Sequence, residues 1–291
     1  AVGKNSLGAN TTATSNTAVG YHALNQNTTG EFNVAVGSLA LDANTTADSN
    51  VAVGYNALTK NTTGGALIGI GRNTLQENTT ANDNVGVGHE ALKNATTGGQ
   101  NVAIGRDALQ SVTSGARSTA IGESAGINIT TGSNNLCLGH DAGKDTSPSG
   151  TISTHSNRIC IGDNNIADGF IKVSLTATSD KRDKTDIEDF KYGLSWINKL
   201  RPVSYRWDMR SNYENGIPDG SKKDARINIG LIAQEELEVE KEHGYGNDTN
   251  DMLITTENPD GNYGMKYERL VPILVNAIKE LSVKVTALEA G

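Results

Sequence analysis

Residues 33–49 read NVAVGSLALDANTTADS, and residues 50–66 read NVAVGYNALTKNTTGGA. Laid over each other they share an apolar-Gly pair, a leucine five positions after it and an Asn-Thr-Thr further on. The pair recurs nine times at an unbroken spacing of 17 residues, at Val2, Val19, Val36, Val53, Ile70, Val87, Ile104, Ile121 and Leu138. Leucine keeps its phase at Leu7, Leu24, Leu41, Leu58, Leu75, Leu92 and Leu109, and Asn-Thr-Thr keeps its phase from Asn10 to Asn78. Asparagine also precedes most of the β-like segments, at Asn16, Asn33, Asn50, Asn84, Asn101 and Asn135. Such a period marks one structural unit per repeat.

Seventeen residues are too few for a helix pair and too many for one strand, but they fit one coil of a parallel β-solenoid with tight Asn/Gly corners. Alternation in NVAVG places Val34 and Val36 on one side and Ala35 and Gly37 on the other, so the larger pair is expected to line the interior and the smaller pair to face outward. Asn-Thr-Thr fits the glycosylation pattern N-x-[ST], yet its recurrence at constant phase reads better as a corner. Cys137 and Cys160 stand in the small-residue column and read as buried fillers with no disulfide between them. His22, His89 and His140 share no spacing to carboxylates, so they read as surface residues, and no metal or cofactor is expected.

Composition narrows the function classes. The 291 residues include only three Phe, eight Tyr and two Trp, with 33 Gly, which is little from which to build an ordinary globular core. A net charge of −8 with no basic block argues against a nucleic-acid partner, and two cysteines without CxxC spacing argue against zinc. No long apolar run predicts a membrane span and no leader pattern is visible, so a soluble chain without membrane insertion is expected. Each coil offers few large apolar side chains, so one chain alone buries little and oligomerisation is expected to supply the rest.

NVAVGxxAL-type units resemble the head repeats of trimeric adhesins and of bacteriophage tail fibres, over about residues 1–140. This resemblance implies a trimeric β-roll that meets a host receptor, a glycan or a protein. The register breaks once, between Leu138 and Ile161, where 23 residues replace 17. That insertion opens a segment, 141–178, expected to lie as loop and strand near the distal end of the fibre.

Charge density changes near residue 179: residues 1–178 hold 9 Lys/Arg and 12 Asp/Glu, and residues 179–291 hold 16 and 21. Thr185 with Glu188 has capping-box spacing ahead of Ile187, Phe190, Leu194 and Ile197, which predicts an amphipathic helix ending near Pro202. Strands are expected at Val203–Trp207, Ile227–Leu231, 252–256 and 262–267, the last two joined by the turn NPDG at 258–261, with a short helix from about Gln234. Val271, Leu274, Ile278, Leu281, Val285 and Leu288 are spaced 3, 4, 3, 4, 3, the seam of a short coiled coil over 268–290. The fold class is thus mainly β, then a small α+β domain ending in a coiled-coil helix.

Ser179-Asp180-x-Arg182-x-Lys184, followed by GLSWINKLRPVSYRW, INIGLIAQE and the helix from Tyr267 to Leu288, is similar throughout 179–291 to the intramolecular chaperone, or peptidase S74, domain. The resemblance implies a trimeric folding template that is released after assembly, with Ser179 as nucleophile and Lys184 as base. A lysine acts as a base near neutrality only when burial or a neighbouring cation favours its neutral form, and Arg182 is a candidate for that cation, with Asp180 completing the motif. Attack on Thr178 would split Thr178–Ser179; Ser179–Asp180 is the alternative bond. The expected protein is a virion tail fibre made in the host cytoplasm. The competing readings are a bacterial surface adhesin and a polysaccharide-degrading tailspike, although the latter needs paired carboxylates that the repeats do not align.

Overall fold

In the computed structural model, which describes residues 1–172, 174–258 and 261–291, each 17-residue period is one coil of a parallel β-solenoid. Three-residue strands β1 (Thr17–Val19), β2 (Val34–Val36), β3 (Val51–Val53), β4 (Ile68–Ile70), β5 (Val85–Val87), β6 (Val102–Ile104), β7 (Thr119–Ile121), β8 (Leu136–Leu138) and β9 (Ile159–Ile161) form one sheet in sequence order. Every pairing is parallel and in register, so Ala18 lies beside Ala35 and Ala35 beside Ala52. Backbone bonds run from coil to coil, as from Val34 N–H to Asn50 O at 2.8 Å.

The corners explain why the period is invariant. Leu24, Leu41, Leu58, Leu75, Leu92 and Leu109 sit in the left-handed region at φ between 49° and 54°. That conformation costs a non-glycine residue about 1–2 kcal/mol. It is offset because each of these side chains is 0% exposed, and burying a leucine contributes roughly 1.5–3 kcal/mol. Gly20 holds φ +137°, and a Cβ there would stand 2.4 Å from the carbonyl oxygen of Gly37, so the glycine column lets one coil sit on the next.

Two columns of buried asparagines fill the remaining interior. Asn44 Nδ2 donates to Asn27 Oδ1 at 2.9 Å and to Ala47 O at 3.1 Å, closing the corner that Asn-Thr-Thr marks. In the second column Asn33 Oδ1 accepts from Asn50 N–H at 3.0 Å. The first column gives way to Ala95, Val112, Ile129 and Ile152, and at the junction Asn78 Oδ1 has no donor among the described residues. A threonine column adds Thr28 Oγ1 to Thr45 O at 3.0 Å.

The strand faces are the reverse of the expectation. The strand centres Ala18, Ala35, Ala52, Ala103 and Ala120 are 0% exposed, whereas the strand-end residues Val19, Ile70, Ile104 and Ile121 are 39–43% exposed on the outer face. The reason is volume. The corner leucines already occupy the narrow interior, so a Cβ at Gly69 would meet Leu58 Cγ at 3.2 Å, and nothing larger than alanine or cysteine fits at the strand centre.

Between β8 and β9 the chain makes an excursion that closes where Ile152 N–H meets Gly143 O at 3.0 Å. Ile152 itself is 1% exposed and completes the interior column, so the insertion is confined to the turns between these two residues. After β9 the described residues up to the short turn at Lys181 carry neither strand nor helix.

The chain divides into two compact units, Ala1–Asp168 and Gly169–Gly291. The second has helix α1 (Leu194–Ile197), strands β10 (Val203–Tyr205) and β11 (Asn228–Gly230), helix α2 (Ala233–Glu242), strands β12 (Thr255–Glu257) and β13 (Tyr263–Met265), and helix α3 (Leu270–Glu289). β10 pairs antiparallel with β11, and β12 with β13. Pro259 and Asp260 of the expected NPDG turn lie outside the described residues; Gly261 N–H bonds Asn258 O at 2.8 Å.

The capping-box helix from Thr185 does not form. Asp186 at φ +51° breaks the helical path, Ile187 is 61% exposed, and α1 begins only after Gly193. Gly193 is needed where α3 comes close, since a Cβ there would lie 2.6 Å from Ala277 N. Trp196, 0% exposed, centres a core with Val239, Ile254 and Ile273, ringed by Phe190, Tyr192 and Tyr245. α3 turns Ile273 and Ala277 into the unit, while its heptad seam stays outside: Val271, Ile278 and Leu288 are 57%, 65% and 82% exposed.

Candidate active site

Ser179 and Lys184 meet because of a single tight turn. Lys181–Asp183 form a one-turn 3-10 helix whose N-cap is Asp180, in extended conformation at φ −67°, ψ 133°. Its carboxylate accepts from Arg182 N–H at 2.9 Å, the usual work of an N-cap aspartate. Lys184 N–H closes the turn on Lys181 O at 3.2 Å. The five-residue separation is thereby folded back, and Lys184 Nζ donates to Ser179 Oγ at 2.6 Å. Geometrically this is a hydroxyl in direct contact with an amine, the arrangement from which a serine loses its proton.

Arg182 takes a different place from the one its charge suggested. Its Nε bonds Asp180 Oδ1 at 3.1 Å and its Nη2 bonds Oδ2 at 2.6 Å, so the guanidinium is matched by a carboxylate. These bonds hold the Asp180 carboxyl below its usual range and push the Arg182 guanidinium up. Asp180 therefore both caps the turn and fixes Arg182. The sequence carries a signal for this, an aspartate immediately ahead of a turn. Thr178 through Glu188 are all exposed in one chain.

Other sites of possible chemistry are structural. Cys137 and Cys160 are buried, free and directly paired between β8 and β9. The hydrogen bond with Cys160 and burial push the Cys137 thiol up, away from reactivity. His22, His89 and His140 each stand near a carboxylate, His140 Nδ1 at 3.2 Å from Asp163 Oδ2. His89, Glu90 and Asp107 group closely enough for a metal, but Lys93 Nζ is 3.0 Å from Glu90 Oε1 and Gln110 Nε2 bridges Glu90 and Asp107 at 2.8 Å each, filling the site with internal donors.

Two glutamates on α2 are buried although no sequence motif marks them. Glu240, 0% exposed, accepts from the backbone N–H groups of Leu253, Ile254 and Thr255 at 2.6–3.0 Å and so clamps the approach to β12. Glu236 Oε1 accepts from Trp196 Nε1 at 2.8 Å, while its Oε2 has no hydrogen-bond partner among the described residues. Burial, with Glu240 one turn away, raises the Glu236 carboxyl to about 7 despite the Trp196 bond.

Among the described residues no helix is long and apolar enough to cross a membrane. No curated protein and no solved structure matched the chain. Residues 179–245, beginning at the serine of the Ser179–Lys184 contact, match the Peptidase S74 family, chaperone of endosialidase, a family of self-cleaving peptidases. With a solenoid of 17-residue coils ahead of such a domain, the chain fits the C-terminal region of a phage tail fibre or tailspike.

Proposed function

We propose that the chain is the end of a homotrimeric tail fibre whose C-terminal domain aligns three chains, then detaches by cutting Thr178–Ser179. The contact of Lys184 Nζ with Ser179 Oγ at 2.6 Å carries the reading. Lys184 takes the hydroxyl proton as Ser179 Oγ attacks the carbonyl carbon of Thr178. The C–N bond breaks, the proton passes to the departing Ser179 nitrogen, and an ester joins Thr178 to the serine side chain. Water then hydrolyses that ester, leaving a Thr178 carboxylate and a new N-terminal Ser179. The reaction consumes one water and happens once per chain.

Assembly and chemistry are coupled in this proposal. One chain leaves the pair exposed to water, which solvates the charged form of an amine better than the neutral form that a base needs. One chain also leaves two apolar surfaces uncovered, the outer Val/Ile face of β1–β9 and the heptad seam of α3. A second and third copy would cover both, and the exclusion of water that follows is what the base requires. Identical coils can pair one repeat out of step, so a template that sets the register before the fibre zips has a physical purpose. Its removal afterwards leaves the fibre held by its unfolding barrier. The released fibre is a virion component that meets a receptor on the host surface.

Mass spectrometry of freshly purified protein tests the proposal. The parent should give fragments meeting at Thr178/Ser179, and Ser179→Ala should give an intact trimer of 30.6 kDa chains. Cutting at that bond in Ser179→Ala would refute the nucleophile.

A further inference from the structure

The period of 17 does not stop at β9. Seventeen residues beyond Ile159-Cys160-Ile161 stands Thr176-Ala177-Thr178, with alanine at the strand-centre position that elsewhere holds Ala, Gly or Cys. Thr-Ala also opens β1 at Thr17-Ala18 and β7 at Thr119-Ala120, so the pair suits this place in the coil. Leu175 falls in the column of Leu67, and Ser179 falls in the glycine column, next after Gly162. We propose that in the assembled fibre Leu175–Ser179 adds to the free edge of β9 as the strand of a tenth coil, and that this pairing presents the Thr178–Ser179 bond for cutting. The inference rests on reading Ser179 as the nucleophile of a self-releasing fibre.

Among the described residues β9 pairs only with β8 and is the last strand of its sheet. In the earlier strands the two end residues turn their backbone groups toward the following coil: Val34 N–H donates to Asn50 O and Val36 O accepts from Gly54 N–H, both at 2.8 Å. Ile159 and Ile161 have no such strand beyond them and are 72% and 66% exposed, where Ile70, Ile104 and Ile121 are 39–43% exposed. An edge of this kind is a template for one more strand. It lies at the end of the sheet, apart from the outer face that neighbouring copies would cover. Leu175, 84% exposed, has burial to gain, since Leu67 in the same column is 0% exposed.

Continuing the register sets the bonds: Ile159 N–H to Leu175 O, Ala177 N–H to Ile159 O, Ile161 N–H to Ala177 O and Ser179 N–H to Ile161 O. The last repeats Gly162 N–H to Leu138 O at 2.7 Å, one coil on. The peptide to be cut is then held by its nitrogen. Its carbonyl is not, because strand-end carbonyls accept from the glycine N–H of the next coil, and after Ser179 the chain enters the 181–183 turn instead. The Thr178 carbonyl is thus fixed in place and open to attack. Ser179 can carry a side chain in the glycine column because its coil is the last; a Cβ at Gly37 would lie 2.4 Å from the Gly54 carbonyl oxygen of the next. The cut waits for the final coil to close and leaves the fibre ending on a complete strand.

Amide exchange on trimeric Ser179→Ala protein, resolved to single residues by fragmentation in the mass spectrometer, tests the strand. The N–H groups at positions 177 and 179 should exchange about tenfold or more slowly than those at 176 and 178, which would point away from β9. Equal rates at all four would overturn the pairing. Cleavage tests its use. Ile161→Pro removes one N–H that faces the tenth coil and none that faces β8, so its trimers should cut about fivefold or more slowly than those of Ile161→Thr, which keeps the N–H. Equal cutting by the two would overturn the positioning role; should Ile161→Pro fail to trimerise, exchange in Ser179→Ala decides alone. The parent keeps the readings apart. A parent that trimerises and cuts at Thr178/Ser179, with 177 and 179 exchanging freely in the Ser179→Ala trimer, overturns the tenth strand and leaves the fibre standing, whereas a parent that stays whole overturns the fibre reading itself.

Discussion

Replacing Ile70, Ile104 and Ile121 together by aspartate attacks the outer sheet face at its middle coils. Those side chains are 39%, 40% and 43% exposed in one chain. Burying a whole isoleucine contributes roughly 1.5–3 kcal/mol, so covering the exposed two-fifths with a neighbouring copy is worth about 1 kcal/mol per site. Seven flanking positions of the nine strands are apolar and exposed, and the other apolar ones are already partly covered, so the total is on the order of 10 kcal/mol per chain, which one substitution would not overcome. Three aspartates remove about 3 kcal/mol of this and place three unpaired carboxylates in the face, at several kcal/mol each. Their sum rivals the whole face. The chaperone domain is untouched, so the variant should still assemble, cut itself and release a fibre; light scattering should then find that fibre as single chains where the parent gives trimers. Tyr21→Asp and Tyr55→Asp, on corners 49% and 50% exposed but off the sheet face, should leave the released trimer intact. A triple variant whose released fibre remains trimeric would show that these isoleucines do not meet a neighbour.

Further outcomes follow from single contacts. Asp180→Ala removes the acceptor that caps the 181–183 turn and should slow loss of the 30.6 kDa band severalfold, whereas Asp180→Asn keeps a capping oxygen and should cut faster than Asp180→Ala. A Cβ at Gly86 would lie 2.6 Å from Thr74 Cγ2, so Gly86→Ala should lower thermal stability by about 1–3 kcal/mol, and adding Thr74→Ala, which restores the alanine of most other coils, should return most of it. Glu236 is raised from 4.5 to about 7 in the folded unit, so between those values the unfolded chain has shed a proton that the folded one retains. Its contribution is complete below pH 4.5 and fades as pH climbs to 7, a loss of up to about 3 kcal/mol. Urea midpoints read by tryptophan fluorescence at pH 5 and pH 8 should therefore converge in Glu236→Gln, in a Ser179→Ala background.

The solenoid was legible because its backbone bonds tie each residue to the one 17 places on, so the period of the sequence is the period of the hydrogen bonds. The direction of the strand faces was not, although the letters held it. Strand centres vary only among Ala, Gly and Cys, while the flanking positions range over Thr, Val, Ile and Leu. A rule of large inside and small outside assumes a wide core. Here six leucines enter from corners at positive φ, a conformation that no propensity scale assigns to leucine, and they fill the space before the strand can. A column held uniformly small is the mark of a full interior, and a column free to grow marks the outside.

The same logic of local override explains the active site. Periodicity from Ile187 to Ile197 promised a helix, but that pattern counts apolar residues without asking what else constrains them. Phe190 is wanted in the Trp196 cluster and Gly193 under α3, and an extended path satisfies both, so Thr185 never caps a helix. What decides the chemistry is shorter in range. The spacing Ser179 to Lys184 becomes a 2.6 Å contact through one capped turn between them, held by Asp180 and open to water on a single chain. The turn supplies the geometry within one chain, whereas the exclusion of water that would favour a neutral amine would have to come from outside it. On the proposed function, one chain would hold Ser179 and Lys184 in contact and assembly would set when the bond is cut.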